Sequence, residues 1–419
     1  MSNILSILTI IYIFLLFVTY KVRGITVLWL FNFGIFVFYH VGFWSLKFQT
    51  KDIYFLSNTS ESIEHIVPDI IIFTIIAICV FLIMDSRGVK PTKIEYSKKE
   101  MFFIRNIILM LTAIIILILV PILPFIDYSH APLFNIGSFS AEEMAIYRRG
   151  LFQGPILELM NVPIYLLLYT ISPTLLFFYG LGFHISKIVL FAVFSFGILT
   201  LAKTFFVLNM TCFFVGWWFK RGGLLPIIIA QIIIPTVFFV IVYCTYLTDT
   251  NRSFIEVYSV LLTRIIQVPI ALTAVYKEIF YFNEGIRSSY WYTLFFGGVK
   301  VPIQQIAGYY LMPNAVIAPN AACGILGSAY PNVPKELHWL YFTSITIFIA
   351  FVSYVVSQIK NYAIRVVGTV IIGSQSLFIL LTDPLVAFNS YGFLWSGLFV
   401  SFYVYGMNLM KGCIKRQEQ

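Results

Sequence analysis

Apolar residues occur along the chain in long blocks, and short polar connections separate these blocks. A membrane-spanning helix needs about 20 apolar residues, because the hydrocarbon layer is about 30 Å thick. Blocks of this kind lie near residues 3–20, 25–45, 68–84, 103–126, 160–181, 186–202, 204–219, 224–247, 337–357, 366–386 and 391–410. The pattern predicts about eleven transmembrane helices. The blocks 186–202 and 204–219 form a tight helical hairpin or one broken helix, since their connection around Lys203 is very short.

The composition agrees with a protein that has lipid as its solvent. Of 419 residues, 60% are hydrophobic and only 11% are charged, whereas a soluble domain is about a quarter charged. This excludes a soluble enzyme, a nucleic-acid-binding protein and a disordered protein. The predicted fold class is all-α, a polytopic integral membrane protein. In a membrane protein, the net charge of +9 indicates the membrane topology and the binding of anionic substrates, and not the binding of nucleic acid.

Basic residues predict the orientation, because short cytoplasmic connections are enriched in Lys and Arg. Every second connection between the predicted helices lies on the same side of the membrane. Together these connections hold 16 of the 27 basic residues and four of the 18 acidic ones, which gives this side a net charge of +12. The opposite side has a net charge of −3 over a much longer stretch of chain. The N-terminus is therefore predicted outside and the C-terminus in the cytoplasm. The first apolar run has no basic segment before it, so it is interpreted as a retained span rather than a signal peptide.

The topology divides the chain into three regions. Residues 1–247 hold the N-terminal transmembrane helices, 248–336 form a long outer loop, and 337–419 hold the C-terminal transmembrane helices. A loop of this length is usually functional. Its apolar stretches are broken by Arg, Lys and Glu, which predicts helices that lie on or dip into the outer surface.

Basic residues on the outer side are candidates for binding an anionic substrate, because topology selects against positive charge there in short loops. Arg264 lies in an otherwise apolar run, where its guanidinium must face a partner or a wet cavity. The other candidates are Arg148, Arg149, Arg252, Arg287 and Lys203. Arginine suits phosphate because its planar fork binds two oxygens. Alternatively, these arginines bind lipid head groups or pair with nearby glutamates, and Lys203 extends to the interface.

Three residues are candidates for a general base that deprotonates a hydroxyl: Glu143, Glu278 and His338. Each could instead be a solvated, salt-bridged or interfacial side chain. No D-x-D or E-x-D pair and no H-x-x-x-H pattern occurs, so no metal site is predicted.

A segment rich in Pro, Asn, Gly and Ala precedes the late span 337–357. From Asn320 to Asn332 it reads N-A-A-C-G-I-L-G-S-A-Y-P-N. It resembles a pattern of bacterial O-antigen polymerases, N-A-x-x-G-x-L-G-D-A-Y-x-N-F-G, which closes their long periplasmic loop. This chain departs from that pattern at Ser328, where the pattern has Asp, and at Val333-Pro334, where it has Phe-Gly.

The resemblance implies a metal-independent glycosyltransferase without a cofactor. Such polymerases join oligosaccharide repeat units carried on undecaprenyl pyrophosphate, at the periplasmic face of the bacterial inner membrane. Their fold is similar to C-type glycosyltransferases, and their loop arginines hold the pyrophosphate. The resemblance carries this role onto Arg264, and less directly onto Arg148, Arg149 and Arg287, with Asn320 and Tyr330 of the motif as substrate-binding residues. The implied partners are carrier-linked glycans and membrane lipids, and a chain-length regulator is a further candidate partner.

Three other functions stay open on the sequence. A lipid-linked oligosaccharide flippase or other transporter would need polar residues through the bilayer centre, and the mid-helix positions are almost wholly apolar. A membrane O-acyltransferase would need a histidine in a central cavity. An O-antigen ligase, which moves finished polymer onto a lipid core, is close to the polymerase in fold and chemistry.

Overall fold

Helices form nearly all of the regular structure that can be described. The computed structural model describes residues 1–48, 63–84, 87–90, 98–135, 161–200, 203–246, 263–281, 303–311, 321, 323–384, 387, 393 and 396–397. Within these residues the only β-structure is an isolated antiparallel bridge between Ile25 and Val89. An all-helical chain satisfies its backbone hydrogen bonds within each segment, as hydrocarbon requires.

Thirteen α-helices, three of them with a π-helical turn, are described beside five short 3-10 helices. They are α1 (Ser2–Arg23), α2 (Val27–Lys47), α3 (Val67–Ile83), α4 (Lys98–Ile122), α5 (residues 161–181), α6 (Lys187–Thr200), α7 (Lys203–Arg221), α8 (Leu225–Tyr246), α9 (residues 263–281), α10 (Ile303–Leu311), α11 (Ile325–Asn332), α12 (His338–Ser357) and α13 (Tyr362–Ser376). Within the described residues, ten of the eleven predicted blocks coincide with a helix. The eleventh, 391–410, lies almost entirely outside them.

The helices have the length and surface of a membrane protein. In the described part of the chain, four are long and apolar enough to cross a bilayer: Ser2–Arg23, Val27–Lys47, Ile104–Phe125 and Lys335–Ser357. Five shorter apolar helices accompany them. Helix α1 exposes Ile10 (69%) and Phe14 (65%), as a lipid-facing helix does. The total of eleven crossings and the side on which each end lies stay predictions.

The chain folds into two compact units, each built from separate stretches of sequence. Unit 1 comprises Met1–Val89, Val260–Ile359 and Ile372–Phe388, and unit 2 comprises Lys90–Ser259, Lys360–Ile371 and Asn389–Gln419. Unit 1 therefore takes residues from all three regions of the predicted topology, because helices distant in sequence pack together.

Side-chain contacts fix the direction of the first three helices of unit 1. At one end, Ser2 donates to Glu64 (Oγ–Oε2 2.8 Å) and Lys47 pairs with the same carboxylate. At the other end, Arg23 donates to the carbonyl of Met84 (3.0 Å). The start of α1 thus lies beside the end of α2 and the turn before α3, so the three helices alternate in direction.

The connection near Lys203 breaks the helix. Phe194 of α6 lies against Phe205 of α7, with 6.3 Å between ring centroids. In one straight helix these positions would be about 16 Å apart. Helices α6 and α7 are therefore separate segments that bend toward each other.

Glycines allow a close helix pair in unit 2. A Cβ on Gly180 of α5 would overlap the Phe213 carbonyl of α7, and one on Gly216 of α7 would overlap the Phe177 carbonyl of α5. Small residues at such crossings let backbones approach and gain packing contacts where no hydrophobic driving force acts between helices.

Candidate functional site

A buried ion pair joins α3 to α9 in unit 1. Lys277 Nζ lies 2.6 Å from Asp69 Oδ2, and the two side chains are only 10% and 12% exposed. The ammonium also donates to the carbonyl of His65 (2.8 Å). An unpaired charge at this depth would cost several kcal/mol, so each group compensates the buried charge of the other.

Tyr330 of α11 adds a hydrogen bond to this ion pair. Its hydroxyl donates to the same Asp69 Oδ2 at 2.8 Å, so one carboxylate oxygen accepts from two donors. The Lys277 ammonium lies 4.9 Å from the ring centroid of Tyr281 and 5.6 Å from that of Tyr330. Cation–π attraction therefore adds to the ion pair. Asp69 thereby joins three helices that are far apart in sequence.

His338 packs among the same rings. It is the first residue of α12 and is buried. Its ring meets Tyr330 edge-on at 5.2 Å and Tyr281 at 6.2 Å. The predicted base is therefore enclosed by aromatic side chains in this structure.

The orientation of α9 follows from contacts at its two ends. Near its start, Gln267 donates to Ser45 in the last turn of α2 (2.7 Å). Near its end, Lys277 reaches Asp69 in the first turn of α3. Since the end of α2 and the start of α3 lie together, α9 runs across this end of the helices. The whole stretch from Pro269 to Tyr276 is buried, so α9 is an integral part of unit 1.

The segment that carries the sequence motif is anchored from both sides. Ala321 donates its N–H to the carbonyl of Gln304 in α10 (3.2 Å) and accepts from the hydroxyl of Tyr276 in α9 (2.6 Å). A Cβ on Gly324 would overlap the Leu380 carbonyl oxygen, so the backbones touch there. Glycine is needed at this position for steric reasons.

Helix α11 is enclosed on all sides and carries polar contacts. All eight of its residues are buried. The Ser328 and Tyr341 hydroxyls lie 3.1 Å apart. The Asn332 amide donates to the Ser328 carbonyl (2.7 Å) and to Asp383 Oδ2 (3.1 Å). The motif therefore meets two carboxylates, Asp69 and Asp383, that come from other helices.

Glu278 differs from its buried neighbour Lys277. It is exposed, and it accepts a hydrogen bond from the hydroxyl of Tyr310 in α10 (2.6 Å). This bond favours the neutral phenol and raises the pKa of Tyr310 to about 12. The pair forms a polar patch on the surface of unit 1.

The structure brings three predicted site residues, Tyr330, His338 and Glu278, to the same end of unit 1. It describes the backbone of Arg264 in the first turn of α9 and that of Lys203 at the start of α7, but neither side chain. The remaining predicted site residues lie outside the described residues: Glu143, Arg148, Arg149, Arg252, Arg287 and Asn320. Their roles stay predictions.

Sequence analysis missed Asp69 and Asp383. Each is a lone acid inside an apolar run, and an ionisable residue in such a run is a candidate functional residue by default. That signal was available. The partner of Asp69 was not readable, because Lys277 lies 208 positions away.

A cavity of about 410 Å³ lies in unit 2. It is lined by Tyr179, Gly180, Gly182, Phe183, His184, Phe213, Trp217 and Lys220. None of these was predicted as a site residue. Among the described residues, no three His, Cys, Asp or Glu side chains are grouped so that they could hold a metal ion.

Comparison with known proteins adds no family assignment. The sequence matches no family model, and comparison with curated proteins and with solved structures gives no match.

Proposed function

We propose that this membrane protein is an oligosaccharide-repeat-unit polymerase. It transfers a glycan from its undecaprenyl-pyrophosphate carrier to the end sugar of another carrier-linked repeat unit, without a metal ion. The observation that supports this best concerns the segment that resembles the polymerase motif. Its described residues, 321 and 323–332, are buried between helices and contact Tyr276, Asp69 and Asp383, whereas a loop without a role in the site would lie on the surface.

The proposal includes the membrane topology predicted from the charges. About eleven helices cross the bacterial inner membrane, with the N-terminus in the periplasm and the C-terminus in the cytoplasm. In this topology the end of unit 1 that carries Asp69, Lys277 and α11 faces the periplasm, where carrier-linked repeat units are presented.

Arginines supply most of the charge for the pyrophosphate in this proposal, with Lys203 as a further candidate, and two lysines of unit 1 are already engaged. Lys277 is engaged by Asp69, and Lys47 pairs with Glu64. Arg264 lies in the first turn of α9 and Lys277 near its end, about 20 Å away along the axis. Two arginines that hold a diphosphate away from water would stabilise the leaving group by roughly a few kcal/mol.

Replacing Arg264 tests this proposal. We expect Arg264→Ala to abolish the polysaccharide ladder of a deletion strain that carries the variant gene, while Arg264→Lys retains part of it. The matched control is Arg105→Ala, which removes an exposed arginine on the predicted cytoplasmic side. Membrane levels of each variant are measured by immunoblot. A normal ladder from Arg264→Ala at normal protein level would contradict the assignment.

One observation favours a transporter as the second candidate. Inside unit 1, His40 is buried between two threonines, with Nδ1 2.8 Å from Thr9 Oγ1 and Nε2 2.9 Å from Thr74 Oγ1. Thr9 already donates to the carbonyl of Leu5, so it accepts from Nδ1–H, and Thr74 donates to Nε2. Buried polar groups within apolar helices occur along transport pathways.

An assay in reconstituted lipid vesicles distinguishes the polymerase from the transporter. Purified protein is reconstituted with fluorescent carrier-linked repeat units from the deletion strain, and access of an external quencher reports movement between leaflets. A transporter exposes inner-leaflet substrate, and His40→Gln slows this movement. A polymerase lengthens the glycan and leaves the leaflet distribution unchanged.

A further inference from the structure

The cavity of unit 2 lies between the ends of two parallel helices. Residues at the end of α5 and near the end of α7 line its volume of about 410 Å³. The rings of Tyr179 in α5 and Phe213 in α7 lie 5.9 Å apart, and Gly182, just after α5, lies beside Lys220. Both helices therefore run in the same direction and end together. The cavity lies where two predicted membrane spans end, which is the level of the lipid head groups.

A glycine with left-handed backbone ends α5 beside the cavity. Gly182 has a φ of 95°, and the N–H groups of Gly182 and Phe183 donate to carbonyls in the last turn of α5 (2.9 and 3.0 Å). This turn satisfies carbonyls that the helix leaves without a partner, and it places His184 in the lining. A Cβ on residue 182 would overlap the ammonium of Lys220. Glycine therefore leaves room for this cation over the helix end.

The lining combines aromatic rings with basic side chains. Four of the eight lining residues are aromatic, two are basic, namely Lys220 and His184, and none is acidic. Tryptophan, tyrosine and lysine are typical of the level where membrane helices meet the lipid head groups. Such a lining suits a ligand that has both a negative charge and an apolar part.

The positive charge at this end of unit 2 is not neutralised by the described residues. No Asp or Glu occurs from residue 159 to residue 248, whereas Lys187, Lys220 and Arg221 lie where α6 begins and α7 ends. In the described part of the chain, Lys220 forms no ion pair. The acids of unit 2 that the predicted topology places on the same side have side chains outside the described residues: Glu95, Glu100 and Glu418. An anion from outside the chain would complement this charge.

The helices that lead away from the cavity offer apolar surface for acyl chains. Helix α6 begins three residues after His184, and it exposes Ile188 (79%) and Phe191 (74%). Leu224 and Leu225, where α8 begins, are exposed as well. A soluble phosphate would use only the basic groups, whereas a phospholipid would use this apolar surface too. The surroundings therefore favour a lipid.

We propose that this cavity binds the phosphate group of an anionic phospholipid, with Lys220 as its main ionic contact. The ammonium donates charge-assisted hydrogen bonds to the phosphate oxygens, and the acyl chains lie against α6 and α8. Basic pockets between membrane helices bind such head groups on the cytoplasmic side, which is the side that the charge distribution predicts for this cavity. The site belongs to unit 2 and does not depend on the polymerase function.

A purely structural role for Lys220 makes a different prediction. A lysine beside the last carbonyls of a helix interacts favourably with the helix dipole, and Lys220 lies over the end of α5. In that case Lys220→Gln lowers the melting temperature by the same amount with and without phospholipid. In a lipid site, the difference between wild type and Lys220→Gln grows as anionic lipid is added.

The test uses purified full-length protein in micelles of dodecyl maltoside, an uncharged detergent. Melting temperatures are measured against phosphatidylglycerol, phosphatidylcholine with the same acyl chains, and inorganic phosphate, because a ligand of the folded state raises the melting temperature with its concentration. We expect phosphatidylglycerol to act at a concentration about tenfold lower than the other two. Lys220→Gln should weaken its apparent affinity by about tenfold or more, since a charged hydrogen bond is lost, and Lys220→Arg should retain most of it.

Lys187→Gln is the matched control, because Lys187 is exposed at the same end of unit 2 and does not line the cavity. It should keep the wild-type response to phosphatidylglycerol. Equal losses from Lys187→Gln and Lys220→Gln would indicate diffuse attraction to surface charge and would overturn the site. A loss in Lys220→Gln that does not depend on lipid, or equal responses of wild type to the two phospholipids, would overturn it as well. An equal response to inorganic phosphate would overturn the lipid as the occupant.

Discussion

The Asp69–Lys277 pair offers the sharpest test of the described structure. Lys277→Met removes the ammonium and keeps most of the side-chain volume, which leaves the Asp69 carboxylate buried with Tyr330 as its remaining donor. Asp69→Asn keeps the shape and an acceptor for Tyr330, and it leaves the ammonium without a counter-ion. The double variant removes both charges.

The expected magnitudes follow from burial. The side chains are 10% and 12% exposed, so removal of one partner leaves an uncompensated buried charge, which costs about 3–5 kcal/mol. The double variant contains no such charge and should lose less than either single variant, about 0–2 kcal/mol. The coupling energy of the cycle should therefore be at least about 4 kcal/mol, which is above the range of about 0.5–3 kcal/mol that is usual for residues in contact.

Equilibrium unfolding in mixed micelles, followed by tryptophan fluorescence, gives the four free energies of the cycle. Lys335→Met is the matched control, because Lys335 is exposed in the same unit and should change the free energy of unfolding by no more than about 0.5 kcal/mol. Single variants within about 1 kcal/mol of wild type, with a double variant equal to their sum, would refute the buried pair.

Three further predictions concern contacts around this site. Tyr330→Phe removes a hydrogen bond to a charged acceptor and should lower the free energy of unfolding by about 1.5–3 kcal/mol in the same assay. Gly324→Ala places a methyl group against a backbone carbonyl and should lower both stability and elongation, whereas Gly397→Ala, whose Cβ would meet open space, should change neither. Lys47 holds the pKa of Glu64 below its ordinary value of 4.5 through a hydrogen bond, so stability from this contact is present above pH 4.5 and is lost as the pH falls through the lowered pKa. The difference in melting temperature between wild type and Glu64→Gln should therefore shrink progressively as the pH is lowered from 7 through the acidic range, and a difference that does not change with pH would contradict the ion pair.

Part of the candidate site was accessible from the sequence. The motif at Asn320–Asn332 marked the segment that the structure shows anchored between helices, and Tyr330, Glu278 and His338 lie at that end of unit 1. Their surroundings were not predictable. The hydroxyl of Tyr330 donates to Asp69, which lies 261 positions away in the sequence, and the predicted role of Tyr330 in substrate binding stays a prediction.

Helix α9 shows most clearly which features the sequence predicts and which features only the tertiary structure reveals. Its sequence, an apolar stretch interrupted by charges, predicts a helix near the outer surface, and the helix is present. Hydropathy does not reveal which membrane helices are buried by protein, since lipid and protein interiors are equally apolar. The burial from Pro269 to Tyr276 therefore appears only in the fold.

The sequence by itself determined where the helices form, because an apolar run in hydrocarbon must satisfy its own backbone hydrogen bonds. Its charge distribution predicted which ends of the helices face the cytoplasm. The tertiary structure decided which ionisable groups meet, since Asp69, Lys277 and Tyr330 come together from three separate helices and Asp383 meets Asn332 from a fourth. Such pairings depend on the register and rotation of packed helices, which the apolar pattern of a membrane protein does not encode.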